Sequence, residues 1–222
     1  MKIKDINRLI QKHLVPVFPQ YTAYQDLLFR IDDEYLLRGY CFEVRGNGEY
    51  DLHLHAFVQP LFKPGSGHIH FTFGETIPRK IRKTLFGFKT VPAWDATKEN
   101  LDHSFQELAV AMQHTGEQFL DSIGDIRRFH EKFDKEKKDN LRVYEAVAFS
   151  SILVCNIQKQ DRLLQGLIKE TRDDEGVEWI MAIRNHATQM LDLPEQHLRL
   201  ALLKQWAVAN ASALGLPGVS FD

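Results

Sequence analysis

The sequence predicts an α+β protein: a four-stranded antiparallel meander sheet covered by a long helix, followed by a small all-helical C-terminal bundle. Three observations predict it. Apolar and polar residues alternate through residues 50–76, which is strand periodicity. Short apolar runs before that stretch are separated by Asp-Asp and Gly-Asn-Gly turn signals. From about residue 98 onward the apolar spacing changes to that of helices.

The alternating stretch organises the first half. Leu52, Leu54, Ala56 and Val58 alternate with His53, His55, Phe57 and Gln59. Side chains on a strand change face at every residue, so one face is aliphatic and the other carries imidazoles. A second strand repeats the design, with Ile69, Phe71 and Phe73 against His68, His70, Thr72 and Gly74. Pro60 marks a strand end or bulge because it cannot donate to a ladder, and Pro64, Gly65 and Gly67 supply the turn.

The remaining elements follow in order. Ile6, Leu9, Ile10 and His13 share a helical face over residues 4–13, and Pro16 and Pro19 stop that helix. Strands are predicted over 25–31 and 34–45, the latter rich in aromatic and β-branched residues. Gly46-Asn47-Gly48 makes a hairpin turn into the alternating stretch. A helix over 98–122, with the stripe Leu101, Phe105, Leu108, Met112, Phe119 and Ile123, supplies the cover that one sheet face needs. Ile126, Phe129 and Phe133 give a short helix in a segment dense in both charge signs. A boundary near Lys138 divides an α+β domain, 1–138, from a helical domain, 139–222. Within the latter, helical stripes run over 140–155, 158–171, 179–191 and from Pro194 to about Ala213.

Composition bounds the function. The 222 residues are 44% hydrophobic, enough for one large core or two modest ones. A net charge of -2 gives no global attraction to nucleic acid. Cys41 and Cys155 lack metal-ligand or redox spacing and are expected as free core thiols in a reducing compartment. No apolar signal core and no membrane span is evident, so a cytoplasmic protein is expected.

Two candidate sites emerge. The first is the histidine face. Pairing Gln59 with His68 makes His55 and His70 diagonal neighbours, roughly 7 Å apart at Cβ. That pair could share a metal ion, with Glu75 as a third ligand. The same face offers acid/base groups in His53, His55, His68, His70, Glu75, Asp51 and Glu43, and nuclease chemistry could add Lys80 or Arg82. The plainer reading is a half-buried sheet face whose histidines pack and hydrogen-bond. The second site is the run after it: Arg79, Lys80, Arg82, Lys83 and Lys89 with no acid from Pro78 to Trp94, interleaved with Phe86 and Phe88. Such a run attracts phosphates, but its shortness in a balanced chain favours an acidic protein partner. Arg79, Lys80, Arg82, Lys83, Phe86 and Trp94 are the partner-binding candidates; otherwise they are solvated charges and packed rings.

The run Val58-Gln59-Pro60-Leu61-Phe62, followed by Ile69-His70-Phe71-Thr72-Phe73-Gly74, resembles a family of small bacterial proteins known only as a domain of unknown function. The likeness spans residues 1–120 and implies an α+β fold with no assigned activity. Some small bacterial proteins of that kind act as immunity proteins or in defence loci, so the resemblance carries that association. This chain departs from it in placing His53, His55 and His68 on one polar face.

No phosphate loop, dinucleotide-binding glycine run, His-Glu-x-x-His or nucleophile elbow is present. The expectation is therefore a non-enzymatic protein-binding module without a cofactor. The alternatives are a hydrolase or nuclease working from the histidine face, and a structural or oligomerisation protein whose helical tail pairs with itself.

Overall fold

The structure, a computed structural model, describes residues 3–32, 34–45, 51–65, 67–84, 87–91, 93–97, 99–137, 140–174 and 176–216. The fold is α+β, with an antiparallel sheet and many helices. The chain divides into two units, each packed chiefly against itself. The first holds residues 1–31, 37–59 and 73–122; the second holds 32–36, 60–72 and 123–222.

In the first unit, α1 (Ile3–Leu9) continues through a wide π turn to Leu14. The strands are β1 (Thr22–Tyr24), β2 (Leu27–Asp32), β3 (Leu36–Arg45), β4 (Asp51–Pro60) and β5 (Gly74–Ile77), adjacent in that order. β6 (Arg79–Thr84) and β7 (Gly87–Val91) form a separate two-stranded ribbon, and β8 (Trp94–Asp95) returns to pair with β4. The sheet thus has six strands rather than the four expected. The Gly46-Asn47-Gly48 turn lies outside the described residues.

The second strand of the expected hairpin begins much later than its alternation suggests. His68 and His70 lie in a loop, Phe71–Phe73 is a 3-10 turn, and only Gly74–Ile77 pairs with β4. Phe57 stands opposite Gly74 and His55 opposite Thr76.

The expected cover helix is present as α2 (Leu101–Ala111), a π turn over Met112–Gly116 and α3 (Glu117–Asp121). Phe105 stacks on Phe42 of β3 at 5.8 Å, and both are fully buried, each contributing about 1.5–3 kcal/mol. Arg38 Nη1 of the same strand donates to the carbonyl of Leu120 at 2.7 Å. The buried stripe runs Phe105, Leu108, Met112, Gly116 and Leu120, so the π turn puts Leu120 where Phe119 was expected. Gly116 is there for a reason of space: a Cβ would lie 2.6 Å from the Tyr40 ring.

The second unit is built on helices: α4 (Ile126–Phe133), α5 (Leu141–Leu153), α6 (Ile157–Glu170), α7 (Glu178–Leu191) and α8 (Gln196–Ala213). Asp125 and Asn140 cap α4 and α5, accepting from the amides of Arg128 and Arg142. α5 is buried on nearly every face, as a helix apolar all round must be, and touches α4, α6, α7 and α8.

The segment 60–72 is tied to these helices by polar groups. Lys63 Nζ donates to Glu145 Oε2 at 2.8 Å with both side chains buried. His186 Nδ1 lies 3.7 Å from the other carboxylate oxygen. Asn210 Nδ2 donates to the carbonyls of Leu61, at 2.6 Å, and Lys63.

The cysteines differ from expectation. Cys41 is half-buried, and burial pushes its thiol up to about 12. Cys155 is not a core thiol; it is exposed, in the left-handed region at φ 54 just beyond α5. No helix among the described residues is long and apolar enough to cross a membrane.

Candidate binding site

The histidines do not assemble as the hairpin reading required. His53 and His55 lie on β4 in the first unit, ring centroids 6.3 Å apart and stacked. His68 and His70 fall in the second unit. Among the described residues, no three His, Cys, Asp or Glu side chains form a group that could hold a metal ion.

Around His55 there is nonetheless an ordered cluster. Thr76 Oγ1 lies 3.1 Å from Nδ1, and Glu43 Oε2 lies 3.3 Å from Nε2. Arg45 grips Glu43 at 2.6 Å and, through that hydrogen bond above all, holds its carboxyl below the usual range. Burial lowers the His55 imidazole against the opposing pull of Glu43. His70 is also lowered, by burial first and then by Arg142 and Lys63. Glu75 and Asp51 are exposed, Glu75 opposite Ala56 and Asp51 opposite Asp95 in the backbone register.

The basic run forms the β6–β7 ribbon. Arg82 stands opposite Lys89 and Lys83 opposite Phe88 in register, with an irregularity between Lys80 and Arg82. Phe86 lies outside the described residues. Where the ribbon begins, Arg79 reaches Glu107 of α2: Nη2 donates to Oε1 at 3.1 Å, while Nε lies 2.8 Å from Oε2 without a hydrogen bond between them.

Beside that ion pair is a cavity of about 310 Å³, lined by Pro78, Arg79, Trp94, Glu107, Val110 and His114 among others. β8 positions Trp94 by pairing it with Leu52 of β4. Asp95 then shapes the turn into α2, its carboxylate accepting from the Thr97 amide and from Asn100 Nδ2. Trp94 is only 1% exposed, yet its indole N–H has no hydrogen-bond partner among the described residues. A buried donor left unpaired costs about 1–3 kcal/mol. Val110 is 54% exposed at the same cavity. Apolar walls with a few polar groups are the ordinary make-up of a binding pocket.

Arg79 and Trp94 were legible as candidates from the sequence. Glu107, Val110 and His114 were not. The one signal for them was Val110, an apolar residue off the buried stripe of its helix.

Fold and cavity define an α+β protein with a small, mostly apolar pocket beside a cationic ribbon. No family model matches the chain, and no curated protein or solved structure matches it significantly. The likeness at residues 58–74 therefore rests on those residues alone.

Proposed function

We propose that this chain is a non-enzymatic protein-binding module that takes an acidic segment of a partner protein at the Trp94 cavity and the adjoining basic ribbon. The observation that carries this reading is the cavity walled by Pro78, Trp94 and the exposed Val110 where the basic ribbon begins. An apolar partner side chain packs against Pro78, Trp94 and Val110. Carboxylates of the same segment meet the ribbon, whose five cations stand in a run without acids although the chain as a whole carries -2. Complementary charge speeds encounter and selects the partner more than it deepens affinity.

The test is a titration with a glutamate-rich peptide carrying a central leucine, followed on the Trp94 indole N–H by NMR. A saturable shift that weakens at high salt is expected. Val110→Glu, which sets a like charge against the acidic segment on the exposed cavity wall, should weaken binding about tenfold, and Lys83→Glu with Lys89→Glu should abolish it. An indole resonance that does not move, or equal binding by the charge-reversed protein, would overturn the reading.

A hydrolase is the second reading, favoured by one observation: Thr76, His55 and Glu43 stand in the order nucleophile, base and orienting acid. Its lowered pKa keeps His55 neutral at pH 7 and able to take a proton. Ester hydrolysis lost in His55→Ala, with the fold and peptide binding intact, would put this reading first.

A further inference from the structure

A second cavity, of about 830 Å³, runs along α6. Lys159, Arg162, Gly166 and Glu170 recur at helical spacing along its wall. Tyr144, from the first turn of α5, lies across from them.

Gly166 is the unexpected residue. Glycine within a helix costs about 1 kcal/mol relative to alanine. Here a Cβ would collide with the Tyr144 hydroxyl oxygen. The glycine is therefore what allows the phenol to lie against α6. That hydroxyl has no hydrogen-bond partner among the described residues. Burial, and then Glu170, raise its pKa, so it stays a donor.

The cavity is mixed in charge, with Asp134 and Glu170 also in its lining, and its Lys159–Arg162 end is the cationic part. Lys159 and Arg162 are like charges three residues apart on one helix face, a mildly repulsive arrangement. Neither has an ion-pair partner at bonding distance among the described residues. The nearby acid Asp134 is already taken: Lys137 Nζ donates to its carboxylate at 2.8 Å and to its carbonyl at 2.6 Å. Glu170 lies one turn beyond Gly166, about 6 Å along the helix axis, and acts on the phenol from the side away from the two cations. The size falls within the range of small-molecule sites.

We propose that this groove binds a small polyanion, a phosphorylated or polycarboxylate molecule, through Lys159, Arg162 and the Tyr144 hydroxyl. Two adjacent cations neutralise the ligand, and the fixed phenol supplies a directed donor.

Calorimetric titration of the full chain with inorganic pyrophosphate and, separately, with citrate tests this. Saturable one-to-one binding of at least one is expected. Pyrophosphate alone would identify phosphoryl recognition and citrate alone carboxylate recognition. Lys159→Gln with Arg162→Gln should weaken it about a hundredfold and Tyr144→Phe about tenfold, with circular dichroism unchanged because the cations are exposed. Gly166→Ala, which keeps both cations but displaces the phenol, should also weaken it. Absence of saturable binding by both probes, or unaltered affinity in the double variant, would overturn the proposal.

Discussion

Glu145 sits fully inside the helical unit as a carboxylate, and its partners decide whether that is tolerable. Burial pushes its carboxyl up, yet Lys63 and His186 together outweigh burial and the net shift is downward. Removing one member of a buried ion pair strands the other's charge, at a cost of about 3–5 kcal/mol. Glu145→Ala is expected to lose that much in urea denaturation, whereas Glu145→Met with Lys63→Met should recover most of it. The pH dependence has a definite sign. A folded pKa below the unfolded value contributes stability above the ordinary glutamate range, about 4.3. That contribution disappears as pH falls through the lowered folded value. Stability of the wild type should therefore drop more steeply on acidification than that of the double-methionine protein. Nothing local in the sequence announces this pair, because Lys63 and Glu145 are 82 residues apart.

Helices were the most legible elements, since a 3.6-residue period is written in consecutive residues. The stripes over 140–155, 158–171 and 179–191 match α5, α6 and α7 to within a few residues. The strand expected over 68–74 fails for a reason outside that segment. Its alternation is real, but Phe71 is 43% exposed and the preceding residues are held by Asn210 and Glu145. A local period cannot overrule polar anchors that come from distant helices. The π turn at Met112–Gly116 was equally invisible and shifted one buried position. Its glycine yields a prediction at this scale. Gly116→Ala improves helix propensity by about 1 kcal/mol, but the new methyl meets the buried Tyr40 ring at 2.6 Å. Tyr40 cannot give way freely, because its hydroxyl donates to Glu117 at 2.7 Å, a carboxylate that also accepts from Tyr21 at 2.9 Å. A net loss of about 1–3 kcal/mol, typical of overpacking, is expected in thermal unfolding.

At the scale of the molecule, the helical unit takes residues 32–36 and 60–72 from the N-terminal half. A fragment of residues 139–222 would carry Glu145 and Asn210 without Lys63 and Leu61. It is expected to show helix by circular dichroism but no cooperative melting, while the same fragment with Glu145→Leu should regain part of the cooperativity. A sharp two-state transition in the unmodified fragment would show that the Lys63 anchor is dispensable. The candidate site was likewise only half legible. Its cationic run and Trp94 are visible in one short stretch, but the wall supplied by Glu107, Val110 and His114 comes from a helix that had to fold across the sheet first.

The order of amino acids alone determined the α+β class, the helices and the concentration of positive charge in residues 79–89, because hydrophobic period and charge are properties of neighbours in the chain. Only the tertiary structure decided which histidines share a sheet, which polar groups are buried together and that the indole N–H of Trp94 lacks a partner. Those are properties of residues brought together from far apart, and burial, which sets the cost of each polar group, exists only once they meet.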